Sequence, residues 1–469
     1  MNTAPDAASR RRFLKASALA ATAFTLPRFS IGQSGGSANG KINVACIGIA
    51  NRGWFAVSEL MKDPRVNVVA LCDVDQVHVQ STYKKGAELK KNSALTCRDL
   101  SSGRLFADYR EMFAQMADKI DAVTVSTPDH HHFPAAMMAV QRGKHVYVEK
   151  PLTHSVGEAR ALRAAAKQHG IISQMGNQGR ATEGIRLMKE WVNAGVIGEV
   201  RAVQAWSPTF NAHYFERPAA LPLAVQTPPA TLNWDLWLGP AAVRPYHESI
   251  APVRWRGWWN FGNGMLGDWA CHTLDAPFWA LDLGAPTAVD VEVGSVHAEM
   301  VPEWAELTYT FPARGQRPPV TLKWLEGERK KPAAPRGWQD DAKKSGFPAR
   351  GMIMFGSKHA LIAPGGRPDS PRLVENAAWE EFKKNRPPAT IPRVIGGPMK
   401  EWLDAIARTG PLPGSNFEYS VPLSEMVLLG VLAMRTGKRI EWDAQAGRVT
   451  NDPGLNALVS VQARAGWKV

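Results

Sequence analysis

The segment from residue 42 to residue 73 combines a buried strand, a glycine turn, a helix and a second strand that ends in an acid. The first strand is predicted at 42–47, and glycines follow at positions 48 and 53. Asp73 stands 20 residues beyond the second glycine, at the end of the next apolar run. In a unit of this kind the helix N-terminus faces a pyrophosphate and the acid binds a ribose. The sequence therefore predicts a dinucleotide-binding domain of the α/β class.

The glycine turn and the acid after it supply the first candidate cofactor contacts, which are Gly48, Ala50, Arg52, Gly53 and Asp73. Ala50 stands where the pattern has its middle glycine, and its methyl group shifts a pyrophosphate without excluding it. Asp73 accepts hydrogen bonds from ribose hydroxyls and repels a 2′-phosphate, which favours NAD. Arg52 lies close by in the sequence and leaves NADP as the alternative.

Further polar side chains follow two later apolar strands, predicted at 120–127 and 145–148. Loops at the carboxyl ends of parallel strands carry the ligands in such sheets. The residues at these ends are candidate cofactor contacts: Thr127, Pro128, His132, Glu149 and Lys150. His132 is the last of three consecutive histidines. Because consecutive side chains on a loop rarely face one ion, no metal is predicted.

Several separate motifs of this sequence resemble those of the Gfo/Idh/MocA oxidoreductases, in the order of that family and from about residue 41 onwards. The motifs are the glycine turn at 48–53, Thr-Pro-Asp-His-His-His at 127–132, Glu-Lys-Pro at 149–151, and Asp-Trp-Ala-Cys-His at 268–272. Two later stretches, at 233–239 and 255–259, are similar to its secreted, twin-arginine-exported bacterial branch, which is glucose–fructose oxidoreductase-like.

The resemblance implies two domains. The first is a Rossmann domain at 41–172, and the second is a substrate and oligomerisation domain at 173–469. The second domain is expected to be α/β, with a large, open, mostly antiparallel sheet. The family also implies hydride transfer between NAD, or NADP, and a sugar, a cyclitol or a related polyol. A homo-oligomer built through the sheet is a further expectation.

The same resemblance places Lys150, Asp268 and His272 around the reacting carbon. Oxidation of a secondary alcohol needs a base for the hydroxyl proton, and histidine is the side chain best matched to neutral pH. A helix predicted at 268–283 puts Asp268 and His272 on one face, because they are four residues apart. We expect His272 to be the acid/base, Asp268 to orient the sugar or the imidazole, and Lys150 to polarise the oxygen. A cis bond between Lys150 and Pro151 would aim the lysine into the cleft.

Candidate substrate contacts other than Asp268 and His272 come from two stretches. Gln178 and Arg180 lie between a predicted strand and a predicted helix, where helix capping is the alternative role. Trp258 belongs to a tryptophan-rich stretch, and its indole can stack on the apolar C–H face of a sugar. Packing in the core is the alternative for most of these tryptophans.

The first 33 residues have the pattern of a twin-arginine export signal. Arg10 and Arg11 precede a Phe-Leu-Lys sequence, and an apolar stretch of small residues follows at 16–26. This stretch is too short to span a bilayer, which takes about 20 helical residues, so no permanent membrane anchor is expected. We therefore predict a signal peptide at 1–33, a linker at 34–40, recognition by the twin-arginine export machinery, and a periplasmic or secreted protein.

Charge and cysteine content exclude several other classes. The formal net charge is +13, but no basic run of nucleic-acid type follows the leader, so no nucleic-acid partner is expected. The four cysteines form no CxxC pair, which argues against a zinc ribbon or a thioredoxin-type site.

Three functions are compatible with a nicotinamide site in the periplasm, where free NAD is scarce. The first is a sugar oxidoreductase that reuses a tightly bound cofactor in place. The second is a glycosidase or epimerase with transient sugar oxidation. The glycosidase branch has a different residue after the acid of Glu-Lys-Pro, so Lys150 favours plain oxidoreduction. The third is a non-catalytic sugar or nucleotide sensor, and the presence of Lys150, Asp268 and His272 counts against it.

Overall fold

The computed structural model describes residues 40–92, 100–208, 212–218, 221–327, 331–338 and 346–469. The predicted export signal at 1–33 lies outside the described residues, as does all of the predicted linker except Gly40. The described residues belong to one compact unit, which contains both sheets.

Six parallel strands form the first sheet, in the order β3-β2-β1-β4-β5-β6. The strands are β1 (Ile42–Ile47), β2 (Val66–Cys72), β3 (Arg104–Phe106), β4 (Ala122–Val125), β5 (His145–Val148) and β6 (Ser173–Met175). The helices of this domain are α1 (Arg52–Lys62), α2 (Gln76–Asn92), α3 (Tyr109–Met116), α4 (Asp129–Gln141) and α5 (Val156–His169). The strand order reverses between β1 and β4, which is where a doubly wound sheet of this kind binds a dinucleotide. The predicted Rossmann fold is therefore confirmed, and its sheet includes a strand just beyond residue 172.

Nine strands form the second sheet, in the order β13-β12-β11-β7-β10-β9-β8-β14-β15. Every neighbouring pair is antiparallel except β7 and β10, which confirms the expected open and mostly antiparallel sheet. The strands are β7 (Val200–Ser207), β8 (Ala288–Val293), β9 (Ala305–Phe311), β10 (Val320–Glu326), β11 (Gly351–Gly356), β12 (Ala360–Pro364), β13 (Arg372–Leu373), β14 (Ile440–Asp443) and β15 (Arg448–Val449).

The helices of the second domain are α6 (Glu183–Asn193), α7 (Trp234–Leu238), α8 (Asp275–Ala280), α9 (Asn376–Lys384), α10 (Gly397–Ile406) and α11 (Phe417–Thr436). Among the described residues, α11 is the one helix long and apolar enough to cross a bilayer. Its apolar window is 83% buried in the protein, where it packs against α5 and β8 as a core helix does.

Two predicted elements differ in the structure, and both lie beside the cleft between the sheets. The helix expected at 268–283 is divided into a π-helical turn at Leu266–Ala270, a short α-helical turn at Cys271–Thr273, and α8. A π-helical turn contains one more residue than an α-helical turn. The side chains that follow it therefore point in other directions than they would in a continuous α-helix. Helix α4 begins at Asp129, so the three histidines, which were expected on a loop, lie in its first turn.

Candidate active site

In the glycine turn after β1, backbone segments approach so closely that a side chain would not fit between them. Gly48 has a φ of +73°, and a Cβ there would lie 2.7 Å from the carbonyl oxygen of Ser126. A Cβ on Gly53 would lie 2.0 Å from the carbonyl oxygen of Gly48. The N-cap residue of α1, Asn51, makes no capping hydrogen bond through its side chain. The N-terminus of α1 therefore opens on the cavity as a site for an anion such as a pyrophosphate.

Asp73 is held against the cavity wall at the end of β2. It is 8% exposed, and its Oδ2 accepts a hydrogen bond from the backbone N–H of Ile49 at 3.0 Å. Its Oδ1 accepts one from the N–H of Asp75 at 3.1 Å and lies 3.2 Å from His78 Nδ1. The hydrogen bond with Asp73 raises the pKa of His78 although burial opposes it. These contacts orient the carboxylate at the position that a ribose occupies in such folds.

One cavity of about 400 Å³ runs from the glycine turn and Asp73 to Lys150 and Asp268. Its wall includes Ser126, Thr127 and Glu149, and each of them has a buried oxygen atom without a hydrogen-bond partner among the described residues: Ser126 Oγ, Thr127 Oγ1 and Glu149 Oε2. Buried polar atoms are normally paired. Unpaired oxygens along a cleft with a glycine cradle fit a polar ligand such as a dinucleotide, so the chain's own residues suit the cofactor predicted from sequence.

Glu149 connects the two ends of this cavity. Its Oε1 accepts a hydrogen bond from Arg52 Nε at 2.7 Å, so the first residue of α1 is tied to the end of β5. Gly176 passes so close that a Cβ there would lie 2.6 Å from the carboxyl carbon of Glu149. Gln178, on the cavity wall, has its Nε2 at 3.5 Å from Glu149 Oε1.

Lys150 and Asp268 form a charged pair on the cavity wall. The Lys150–Pro151 bond is cis, as expected. Lys150 Nζ donates to Asp268 Oδ1 at 2.7 Å and to the carbonyl oxygen of Asp268 at 2.6 Å. Arg256 Nε lies 3.5 Å from the same carboxylate oxygen. Burial alone would raise the pKa of Asp268, but Lys150 and Arg256 outweigh it and hold this pKa below its usual value. Asp268 is therefore ionised at neutral pH.

His272 is buried and is not part of the cavity wall. It is 2% exposed, its Nδ1 has no partner in the described part of the chain, and its ring centroid is 5.8 Å from that of Trp269. Burial, followed by the positive charge of Lys150 and Arg367, lowers its pKa well below the usual value. The imidazole is consequently neutral at pH 7, with a nitrogen free to accept a proton. No hydrogen bond joins Asp268 to His272 in the structure.

The three consecutive histidines hold backbone segments together. His132 is 1% exposed, with Nδ1 at 2.7 Å from the carbonyl oxygen of Pro151 and Nε2 at 2.9 Å from that of Thr127. Burial lowers its pKa to about 4. His130 and His131 each place Nε2 at 3.0 Å from the carbonyl oxygen of Trp237. Within the described ranges no three His, Cys, Asp or Glu side chains converge on a metal position.

Besides His272, two further predicted substrate contacts are not brought to the cavity wall. The guanidinium carbon of Arg180 lies 3.6 Å from the ring centroid of Trp279 and 4.0 Å from that of Tyr419, away from the cleft. Trp258 is fully buried, and its Nε1 donates to the carbonyl oxygen of Ser249 at 2.8 Å. Arg180 thus packs between aromatic rings. Trp258 belongs to the core, which was the alternative role given for these tryptophans.

Sequence reasoning missed four side chains that line the same end of the cavity: Asp129, Tyr214, Arg256 and Arg367. Asp129 and Arg256 lie inside motifs already noted, beside the residues chosen from them. The sequence around Arg367 contains no comparable motif. The position of Arg367 depends on how the loop after β12 packs against residues 268–273.

Two segments of the second domain cover the end of the cavity that contains the glycine turn and Asp73, which is called the nucleotide end below. Before α7, the backbone N–H of Asn233 donates to the carbonyl oxygen of Val74 at 2.9 Å. Near the end of the chain, Trp467 packs edge-on against Tyr109 and His131, with ring centroids 5.9 and 5.4 Å apart. Trp467 is itself 5% exposed and lines the cavity.

A doubly wound parallel sheet, a glycine cradle at its switch point and a lysine–carboxylate pair beyond it define a dinucleotide-dependent enzyme of the two-domain α/β class. Residues 42–177 match the oxidoreductase family model with an NAD-binding Rossmann fold, and residues 182–332 match the C-terminal alpha/beta domain of the same family. The two stretches together cover more than half of the chain. The protein therefore belongs to the Gfo/Idh/MocA oxidoreductase family, and NAD is its cofactor.

Similar proteins of known name include two bacterial enzymes. Levoglucosan dehydrogenase of Pseudarthrobacter phenanthrenivorans is 28% identical over 156 residues, which are 33% of this chain and 32% of that enzyme. Alpha-N-acetylgalactosaminidase of Shewanella oneidensis is 30% identical over 162 residues, which are 34% of this chain and 33% of that enzyme. The chain thus matches about a third of the length of these relatives.

Solved structures support the fold. The WlbA dehydrogenase from Bordetella pertussis, in complex with NADH and UDP-GlcNAcA, has a TM-score of 0.57 at 16% identity, over 86% of this chain and 99% of that one. Levoglucosan dehydrogenase, in complex with NADH and levoglucosan, has a TM-score of 0.52 at 15% identity, over 86% and 99% of the two chains.

Proposed function

We propose that this protein is an oxidoreductase that transfers hydride between a tightly held NAD and a sugar, a cyclitol or a related polyol. The observation that carries the proposal is the Lys150–Asp268 pair, which stands on the wall of the same cavity as the glycine cradle. A charged lysine at that place suits an oxygen that gains negative character as hydride leaves its carbon.

NAD, when bound, accepts the hydride of the substrate alcohol. Lys150 donates a hydrogen bond to the reacting oxygen, and Asp268, to which Nζ also donates, fixes the position of the lysine on the cavity wall. His272 takes the hydroxyl proton on its unpaired Nδ1. This role requires the substrate hydroxyl to reach a side chain that is 2% exposed and does not line the cavity. In the reverse direction the same nitrogen returns the proton.

Tight retention of the cofactor follows from the two segments that cover the nucleotide end. A ligand that enters there has to pass the segment before α7 and the ring of Trp467. We propose that NAD is loaded before the chain is exported by the twin-arginine route and is reused in the periplasm, where the NADH formed by oxidation of one sugar passes its hydride to a second substrate that is reduced. Replacement of Arg10 and Arg11 by lysine is expected to retain the protein in the cytoplasm. Unchanged export of that variant would remove this part of the proposal.

The test of function begins with the cofactor. The mature chain is purified without added nucleotide and denatured, and the released small molecules are measured by mass spectrometry. We expect stoichiometric NAD(H) from the wild type and little from Trp467→Ala, whose open cleft still binds NAD in a titration. Neutral and acidic sugars are then screened for a change in absorbance at 340 nm. An intact NAD-loaded protein that binds a sugar, gives no change at 340 nm with any of them and forms no product in a single turnover would be a sensor and not an oxidoreductase.

A glycosidase with transient sugar oxidation is the second candidate, favoured by the similarity to alpha-N-acetylgalactosaminidase. The two candidates differ in their products. A glycosidase releases a leaving group from a glycoside and restores NAD within each cycle. An oxidoreductase leaves one equivalent of oxidised sugar per NADH. Analysis of the products of a single turnover with an aryl glycoside and with the free sugar separates them.

A further inference from the structure

We propose that the substrate carries a carboxylate group and that Arg367 binds it. The inference rests on the proposed function, and it narrows the sugar or polyol substrate to a sugar acid. Arg367 lines the cavity at the end that holds Lys150 and Asp268.

The charges at this end leave one cation, Arg367, without a carboxylate partner among the described residues. Arg52 pairs with Glu149 at 2.7 Å, and Lys150 pairs with Asp268 at 2.7 Å. For Arg367, no carboxylate lies within ion-pair distance in the part of the chain that the structure describes. Its one hydrogen bond there runs from Nη2 to Gln178 Oε1 at 3.3 Å.

The pKa of Arg367 is consistent with an uncompensated charge. Burial lowers this pKa, and the positive charge of Arg52 lowers it further, whereas the negative charges of Glu149 and Asp268 only partly oppose them. A bound anion would reverse that balance. Because a guanidinium presents two parallel N–H groups, a carboxylate is the anion that fits it in bidentate fashion, and sugar acids offer this group beside the reactive hydroxyls.

Arg367 is held in place relative to the reacting groups by its own loop. The preceding residue, Gly366, approaches the ring of Trp269 so closely that a Cβ would lie 2.5 Å from it. Thr273 Oγ1 donates to the carbonyl oxygen of Gly366 at 2.9 Å. Trp269 and Thr273 flank His272 on the catalytic segment. A carboxylate bound to Arg367 would therefore fix which hydroxyl group of the sugar faces Lys150.

A competing role for Arg367 is to bind a phosphate of the cofactor. The pyrophosphate cradle, however, is built by the glycine turn and the N-terminus of α1, and Arg367 comes from the second domain on the side of Gln178. The two roles predict different results, because one changes the affinity for the substrate and the other changes the affinity for NAD.

The experiment compares the NAD-loaded wild type with Arg367→Met and with a matched control, Arg350→Met. Arg350 also stacks on Trp269, with its guanidinium carbon 5.3 Å from the ring centroid, but it does not line the cavity. Binding is measured by calorimetry and turnover at 340 nm. The probes are D-glucuronate, D-galacturonate and D-gluconate, with D-glucose, D-galactose and D-glucose 6-phosphate for comparison.

We expect the wild type to bind at least one of these acids about 10- to 100-fold more tightly than its neutral counterpart. Arg367→Met loses that preference and keeps its affinity for NAD, whereas Arg350→Met keeps both. Turnover restricted to neutral sugars would overturn the inference and leave the proposed function standing. Binding of an acid through Arg367 without hydride transfer would overturn the proposed function and leave the carboxylate site standing. A preference for the sugar phosphate, no binding of any acid, or a loss of NAD from Arg367→Met would each overturn the inference.

Discussion

The two ends of the cavity are built in different ways. The nucleotide end is made of backbone from one short stretch, residues 48–73, in which glycines allow chain segments to approach closely. The reaction end is made of side chains that the fold collects from distant elements: Lys150, Arg256, Asp268 and Arg367. Backbone geometry binds the part of the ligand that is common to the family, and collected side chains face the part that differs between its members.

This difference predicts that variants separate into two groups. Changes at the nucleotide end alter the affinity for NAD and leave the chemistry of a bound cofactor intact. Changes at the reaction end alter turnover and leave the affinity for NAD intact. A variant that affects both quantities equally would mean that the two ends are one structural unit.

Replacement of Lys150 by methionine is expected to have the largest effect. The variant loses the hydrogen bond to the reacting oxygen, and turnover measured at 340 nm falls by about 1000-fold. Asp268 keeps Arg256 as a partner at 3.5 Å, so we expect the fold to persist. The double variant Lys150→Met with Asp268→Asn should be little slower than the single one, because the two residues act as a pair. An equally large loss of NAD affinity would place Lys150 in the nucleotide end.

His272→Asn tests whether the neutral imidazole accepts the proton. We expect turnover to fall about 100-fold with NAD affinity unchanged. Because burial keeps the pKa of His272 well below 6.5, the histidine stays deprotonated at neutral pH, and wild-type turnover should not decline as the pH is lowered from 8 to 6.5. Wild-type turnover in His272→Asn would refute this role.

The nucleotide end and much of the fold were predictable from sequence because local patterns determine them. Strand β1 has the predicted limits, and the glycine spacing placed α1 and Asp73 correctly. Strands β12 to β15 were not predicted, because they are only two to five residues long and so show little alternation of apolar and polar residues. The broken helix at 266–280 was also missed, since the apolar pattern of a π-helical turn resembles that of an α-helix.

The reaction end was only partly predictable. Motifs identified Lys150 and Asp268, and the structure joins them. Trp258 and Arg180 were predicted as substrate contacts because they are an aromatic and a polar residue near motifs. In the structure, Trp258 donates a hydrogen bond to Ser249, and Arg180 stacks on Trp279. Arg367 had no local pattern, because its place depends on the close contact between Gly366 and Trp269. Long-range packing of this kind cannot be predicted from any single stretch of sequence.

Gly53→Ala is expected to damage the nucleotide end selectively. The new methyl carbon would lie 2.0 Å from the carbonyl oxygen of Gly48, so the turn must open and the pyrophosphate loses its cradle. We expect NAD affinity to fall about 100-fold and cofactor to be absent from the purified protein. The matched control is Ala50→Gly, which restores the glycine of the pattern and should bind NAD as well as the wild type. Titration of NAD by tryptophan fluorescence measures both, and normal binding by Gly53→Ala would contradict the proposed cradle.

Asp129→Asn is expected to have the smallest effect and to show how the two ends meet. Asp129 begins α4 in the first domain, lines the cavity, and accepts hydrogen bonds from the backbone N–H and Nδ2 of Asn263, both at 3.1 Å. Burial is the main cause that raises its pKa from 3.8 to about 7. The folded protein therefore keeps a proton that the unfolded chain releases, so Asp129 contributes stability at low pH that is lost as the pH rises towards 7.

An asparagine at position 129 keeps the acceptor for Asn263 and removes the titration. The unfolding free energy of the variant relative to the wild type should therefore increase between pH 5 and pH 8, by roughly 2 kcal/mol in denaturant titrations. NAD affinity should not change, since the carboxyl group faces Lys150 and Arg256 and not the glycine cradle. Parallel stability curves for the two proteins would mean that Asp129 is ionised throughout. In that case its carboxylate would cancel one of the cations around the substrate, and the positive charge assigned to the reaction end would be smaller by that amount.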